Sequence, residues 1–200
     1  MIPDWEPVLA FWFGDETDDA AVAKKQSKLW WSGQREDDAT IRDRFGATRN
    51  AAVAGKLSGW ERSPGGRLAL VLLIDQFSRA IHRGTPQAFE HDALARRWAL
   101  DALASGDDRK LRPIERVFLV LPLEHSESRE HQDQSVLLLG RWRDEAQGAL
   151  RKELDGYLDY ARRHRDIIVR FGRFPHRNAI LGRASTAEEK EFLRQPGSSF

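Results

Sequence analysis

Apolar side chains recur along most of the chain at spacings of three and four, the period of a helix that buries one face; no stretch alternates with the period of two that marks a half-buried strand. Val8, Phe11 and Trp12 share a face of a first helix, opened by Pro3 and Asp4 and ended at Gly14. Val22, Leu29 and Trp30 predict a second helix over Asp18–Ser32. Ile41, Phe45 and Thr48 (or Ala52) predict a third over Arg35–Leu57, with Gly55 and Gly59 at its exit. Beyond the turn Ser63-Pro64-Gly65-Gly66, the helix Leu68–Ile81 begins apolar nearly all round, so it belongs at the centre of the core. Its end changes character, since Asp75, Arg79 and His82 fall on one face.

Thr85-Pro86 predicts the cap of a helix whose stripe is Phe89, Leu94, Trp98 and Ala102, followed by a loop at Gly106-Asp107-Asp108. Pro113 opens a second nearly all-apolar helix, Ile114–Leu121, with Pro122 as its stop. Val136, Leu139 and Trp142 organise Gln134–Leu150. Leu154, Leu158, Ala161 and Ile168 organise Arg151–Gly172, with Gly172 as C-cap and Pro175 barring continuation. Ser185 or Thr186 with Glu188 and Glu189 caps a short last helix, and Gln195–Phe200 is a tail. The expectation is a single all-α domain over residues 1–200, with about nine or ten helices joined by short loops and therefore antiparallel to their neighbours.

Composition removes several function classes. The 32 basic and 31 acidic residues leave a net charge of +1, which disfavours a general nucleic-acid or membrane-surface binder. The absence of cysteine removes disulfides, thiolate nucleophiles and zinc–thiolate sites. The start of the chain is acidic, without a basic n-region, and the apolar runs Leu68–Ile74 and Val117–Leu121 are far too short to span a bilayer. A soluble cytoplasmic protein is expected.

The densest chemistry lies in Tyr160–Arg183, where seven arginines oppose the lone Asp166, a local charge of +6, and apolar residues such as Ile167, Ile168, Phe171 and Phe174 are threaded between the charges. A solvated basic tail has no use for them, whereas a polar cluster set into a packed wall does. Buried arginines need partners, because a lone buried charge costs several kcal/mol. The expected cleft therefore joins four contributors: Asp75 and Arg79; Glu115 and Arg116; Glu124, His125 and Glu127 after Pro122; and His164, Asp166, Arg170, Arg173, His176, Arg177 and Asn178.

Three stretches carry a family resemblance: Asp75-Gln76-Phe77 with Arg79; Glu115-Arg116-Val117-Phe118 running into Leu121–Glu127; and Arg163-His164 through Gly172-Arg173-Phe174-Pro175-His176-Arg177-Asn178 to Arg183. Together with Val8–Gly14, Ser185-Thr186 and the closing Gly197-Ser198-Ser199-Phe200, they resemble the bacterial and fungal family called domain of unknown function 924, over essentially the whole chain. The resemblance implies an all-α, tetratricopeptide-like stack of antiparallel helices and no activity. The segment Phe89–Gly106, an amphipathic helix with spaced alanines, is itself similar to the second helix of a tetratricopeptide unit. Where the family reads Asp-Gln-Phe-Pro-Arg-Asn, this chain has Ser78 for the proline and Ala80 for the asparagine, so the helix here is expected to run straighter.

Several arginines with histidines and an amide suit a small anion bearing phosphate or carboxylate, since guanidinium offers a planar fork to either. Proton transfer by His125 or His164 with a glutamate stays open. The competing reading is a structural salt-bridge network on a helical scaffold that binds protein. Trp30-Trp31, which cannot both face the core, would place one ring at a partner or oligomer surface. No metal site is expected, for lack of a diagnostic ligand spacing, and no nucleotide motif or cofactor signature is present. Stacking of Tyr160, Phe171 and Phe174 on nucleic-acid bases is disfavoured by the balanced overall charge.

Overall fold

The computed structural model describes residues 4–198, and among these every regular element is helical. The α-helices are α1 (Glu6–Phe13), α2 (Asp19–Trp31), α3 (Arg35–Val53), α4 (Pro64–Leu72), α5 (Ser78–Ile81), α6 (Asp92–Ser105), α7 (Pro113–Glu124), α8 (Arg129–Glu145), α9 (Gly148–Phe171) and α10 (Ala187–Phe192). The expected role of Pro3 lies outside the described residues; within them Pro7 occupies the first turn of α1.

α4 and α5 are parts of one rod, and its bonding sets up the rest. Ser63 accepts the Gly66 N–H at 3.1 Å, and Pro64 takes the first position, where its missing N–H is no loss, so the rod starts at Pro64 rather than Leu68. Over Leu73–Phe77 the helix widens to a π turn before α5 resumes. The expectation of a straighter helix is thus corrected. The Ser78 hydroxyl accepts from Arg49 Nε at 2.9 Å on α3 and donates to the Leu73 carbonyl at 3.3 Å, which supports the wide turn from the side. Every side chain from Leu68 to Asp75 is buried.

α7 is the second central rod, and it does not stop at Pro122. It runs on to Glu124, with the His125 N–H reaching the Leu121 carbonyl at 2.8 Å. Proline deprives only the Phe118 carbonyl of its donor, and the surrounding apolar contacts of this fully buried turn outweigh that loss. An aromatic cluster locks α1, α2, the π turn and α7 together: Trp30 meets Phe118 edge-on at 4.5 Å, and Trp12 meets Phe77 at 5.4 Å and Phe118 at 5.5 Å. Trp30 is buried and donates Nε1–H to the Trp12 carbonyl at 3.0 Å, while Trp31 is 49% exposed.

Four other boundaries differ from the sequence pattern. α3 ends at Val53. Pro86–Ala88 forms a 3-10 turn, and α6 begins only at Asp92, which leaves Phe89 in the connection rather than on the α6 stripe. α8 starts at Arg129, a polar first turn without an apolar residue to reveal it. It breaks from α9 at Ala146-Gln147 rather than after Leu150. The α8–α9 hairpin is antiparallel, with Arg165 on Asp133, Arg143 on Asp155 and Arg151 near Asp144 along its length. No helix among the described residues is long and apolar enough to cross a membrane.

The start of the central rod yields a test. A Cβ at Gly66 would collide with the Trp60 carbonyl and come within 2.8 Å of Ser63 Oγ, whereas one at Gly140 in α8 would meet nothing within 4 Å. Gly66→Ala is expected to destabilise the fold by about 1–3 kcal/mol through forced backbone movement, and Gly140→Ala to stabilise it by about 0.5–1 kcal/mol through helix propensity. Urea denaturation of the pair checks both signs.

Candidate functional site

Four segments converge on Asp75. The π turn carries it, the end of α7 brings Glu124 and His125, α9 brings His164, and the 3-10 turn Pro175–Arg177 brings His176 and Arg177. The Asp75 carboxylate is fully buried. It accepts from Gln76 Nε2 at 2.7 Å and is approached by His125 Nδ1 at 2.8 and 3.0 Å and by Arg79 Nη1 at 3.2 Å. Arg79 turns its other edge onto Asp92 with a two-pronged contact at 3.1 and 3.0 Å. Behind this lies a second imidazole: His164 Nδ1 is 3.0 Å from the Tyr160 carbonyl and 3.1 Å from Glu124 Oε1. The His125 and His164 rings are 6.1 Å apart.

Burial and neighbouring charges decide the protonation states. Burial by itself would push the Asp75 carboxyl up, but Arg79, His125 and the Gln76 amide together hold it well below the usual carboxylate range. An ionised carboxylate only accepts, so the proton of the neutral His125 ring sits on Nδ1 and the lone pair on Nε2. Burial, with Arg79 and Arg177 adding to it, lowers the His125 pKa against the pull of Asp75, so this neutral form is favoured. Glu124 behaves oppositely: burial and the Asp75 charge push its carboxyl up to about 8. Burial and His125 drive His164 down to about 3, and burial and Arg177 drive His176 down to about 4.

A further layer ties this cluster to the C-terminal part of the chain. Glu127 receives Arg183 through two bonds of 2.7 and 2.9 Å and the Phe174 N–H at 2.8 Å. Arg173 forks onto Glu189 at 2.7 and 2.8 Å, and Asn178 Nδ2 reaches Ser185 Oγ at 3.0 Å and Glu189 at 3.3 Å. Arg177 is different. It is 7% exposed, its guanidinium lies 4.4 Å from the Phe174 ring centre and 4.9 Å from that of Phe89, and Nη1 donates to the His125 carbonyl at 2.9 Å. Its Nε is buried without a partner, and no carboxylate among the described residues reaches ion-pair distance of it. Burial and the Arg79 charge pull its pKa down to about 10.

The expected site residues therefore divide. Asp75, Arg79, Glu124, His125, His164, His176 and Arg177 come together, and Glu127, Arg173 and Asn178 form the adjoining layer. Glu115 and Arg116 lie at the opposite end of α7. There Glu115 accepts the Arg112 N–H at 2.9 Å, capping the start of the helix, and Arg116 reaches the Leu111 carbonyl at 3.0 Å. Asp166 faces solvent on α9, and Arg170 makes an exposed pair with Glu188 at 2.9 Å. His82 lines a separate surface hollow with Arg35, Asp38, Arg42 and Arg83. Sequence reasoning missed Asp92 and read Phe89 only as part of a helical stripe; both sit where a turn becomes a helix, and periodicity says nothing of their contacts with Arg79 and Arg177. It read Glu189 only as a cap, although the same carboxylate also holds Arg173.

The raised Glu124 pKa has a measurable sign. A folded-state carboxyl that holds its proton above its unfolded pKa stabilises the fold at low pH and loses that contribution as pH rises. With an ordinary value of 4.5 and a folded value of about 8, the loss runs between these two limits. Glu124→Gln keeps the shape and cannot ionise. Its melting temperature should match the parent near pH 4.5 and exceed it increasingly up to about pH 8, by about 2–4 °C for each kcal/mol gained. Melting curves across that range decide the matter; a difference independent of pH would mean that Glu124 is already ionised.

Comparison with known proteins bears on this geometry. The family described as "Bacterial protein of unknown function (DUF924)" matches residues 8–197, which contain every residue of the cluster. Comparison with curated proteins returns no match. A solved structure of a protein of unknown function, ATU0120 from Agrobacterium tumefaciens, is 36% identical, superposes with a TM-score of 0.73, and the match covers 88% of this chain and 98% of that one. The helical protein described above belongs to the DUF924 family.

Proposed function

We propose that the cluster recognises a small anionic ligand bearing phosphate or carboxylate, and that Arg177 is its anchor. One observation carries the reading. Arg79, Arg173 and Arg183 each face a carboxylate with two bonds, while the more deeply buried Arg177 has only a main-chain carbonyl and two aromatic rings. Burying a guanidinium that no carboxylate touches is costly, and Asp92, Glu127 and Asp75 act on Arg177 only from beyond ion-pair distance. A ligand anion offsets that cost, and no protein carboxylate competes for the fork. Phe89 and Phe174 fix the plane of the guanidinium, so little side-chain entropy is lost on binding.

A second reading has its own support. Trp31 and Leu137 are 49% and 63% exposed, which suits a tetratricopeptide-like scaffold that binds protein or a second copy of itself. In that case the polar cluster serves only to join helices.

Thermal shift separates the two. Orthophosphate or succinate at about a hundred times its Kd should stabilise the protein by about 2.7 kcal/mol. Arg177→Gln should abolish the shift while melting, without ligand, close to the parent, because the lost carbonyl bond and ring contacts are offset by removal of a buried charge that no carboxylate touches. A variant that melts far lower, beside a parent that ignores every anion, would make Arg177 a strut.

A further inference from the structure

His125 is an imidazole of the cluster placed to exchange protons with a ligand. Its ring is 16% exposed, Nδ1 is held by the buried Asp75 carboxylate at 2.8 Å, and Nε2 makes no hydrogen bond and is not among the buried unpartnered atoms. An acid that fixes tautomer and orientation behind a solvent-facing imidazole is the arrangement of a general base. Arg177 is bonded to the main chain of the same residue, which puts its guanidinium beside His125. The hydroxyl of the next residue, Ser126, is engaged elsewhere and does not serve as a covalent nucleophile for this base. Ser126 Oγ is 5% exposed as a residue, lies on His131 Nδ1 at 2.9 Å, and accepts the Ser128 N–H at 3.2 Å.

We infer that the Asp75–His125 pair activates water for hydrolysis of small esters or acyl phosphates that carry a negative charge for Arg177 to hold. The inference rests on the anion site proposed above. Nε2 removes a proton from water as the water oxygen bonds to the acyl carbon. The bond from that carbon to the leaving oxygen then breaks, and the imidazolium returns the proton to the leaving group. The products are the free acid and an alcohol or phosphate, with no oxidant or reductant required. Asp75 acts as a positioning residue, since it reaches the substrate only through the ring.

The experiment compares 4-nitrophenyl hydrogen succinate, which bears a carboxylate, with neutral 4-nitrophenyl acetate, following nitrophenolate release. The wild-type protein should turn over the succinate ester at least about 100-fold faster than His125→Gln, the scale of general-base catalysis. Asp75→Asn should lower kcat with little change in KM, and Arg177→Gln should raise KM for the succinate ester and so narrow its advantage over the neutral acetate. Wild-type turnover no faster than His125→Gln overturns the inference, and so does an initial burst of one nitrophenolate per protein, which would reveal a covalent acyl intermediate. The orthophosphate thermal shift should survive in His125→Gln, so loss of the base and loss of the anion site are told apart.

If the His125 and Asp75 variants do not fold, the wild-type protein still answers. Diethyl pyrocarbonate should carbethoxylate His125, located by peptide mass mapping, and abolish turnover in proportion. An unreactive His125, or turnover that persists after its complete modification, overturns the inference.

Discussion

A carboxylate with no solvent exposure, placed in the middle of the most apolar rod of the molecule, is the constraint to which the C-terminal half of the fold answers. An isolated ion in such a position costs many kcal/mol, and a protein either neutralises it or surrounds it with donors and positive charge. Asp75 is surrounded. Gln76 and Arg79 come from its own rod, but His125 comes from the end of α7, fifty residues on, and Arg177 then closes over the His125 main chain. Meeting the needs of one charge thereby fixes the relative position of the π turn, α7 and the segment after α9. The π turn is part of this solution, because the widened turn places Asp75 among buried neighbours while Arg79, one turn later, still reaches both Asp75 and Asp92.

Charge then propagates outward by pairing. Burial keeps the Glu124 carboxyl protonated, and the ionised Asp75 adds to this, because two nearby buried carboxylates resist ionising together. Burial keeps the His164 ring neutral as well, and its Nδ1 donates toward the Tyr160 carbonyl and Glu124. The inner cluster therefore holds one anion, Asp75, and two fixed cations, Arg79 and Arg177, with Asp92 balancing Arg79 from outside. Asp75 and Asp92 match the two guanidiniums in number, but neither forms an ion pair with Arg177, whose charge they and Glu127 offset only from a distance. Aromatic faces on Phe89 and Phe174 partly compensate it, since cation–π contacts are worth about 2 kcal/mol when desolvated.

Most of the helical architecture was legible in periodicity, because each amphipathic helix buries one stripe and the two rods that are apolar all round could only be central. What stayed hidden follows from the same physics. Proline ordinarily ends a helix, yet Pro122 does not, since its turn is enclosed on every side and stopping there would expose more than one carbonyl's bond is worth. A π turn leaves no trace in a pattern counted by threes and fours. Within the site, the arginine-rich stretch after Tyr160 was legible as a place of unusual chemistry, but the partner of each arginine was not. Arg170, Arg173 and Arg183 differ little in sequence and end on Glu188, Glu189 and Glu127. Only the path of the chain around Pro175 determines which guanidinium is left over. Glu115 and Arg116 show the converse, polar neighbours of an apolar helix that serve its start rather than a cleft.

The two departures from the family pattern fall on opposite sides of this arrangement. Ser78 sits directly after the π turn, where its hydroxyl accepts from Arg49 and donates to the Leu73 carbonyl, and a proline ring could make neither bond. Arg49 is 6% exposed and faces no carboxylate at ion-pair distance among the described residues, so the serine oxygen is one of its few acceptors, with Asn50 Oδ1 at 3.2 Å. The substitution thus exchanges a stiff backbone at position 78 for a polar tie between α3 and the rod. Ala80 instead lines the surface hollow of Arg35, Arg42, His82 and Arg83, on a face of α5 away from Asp75.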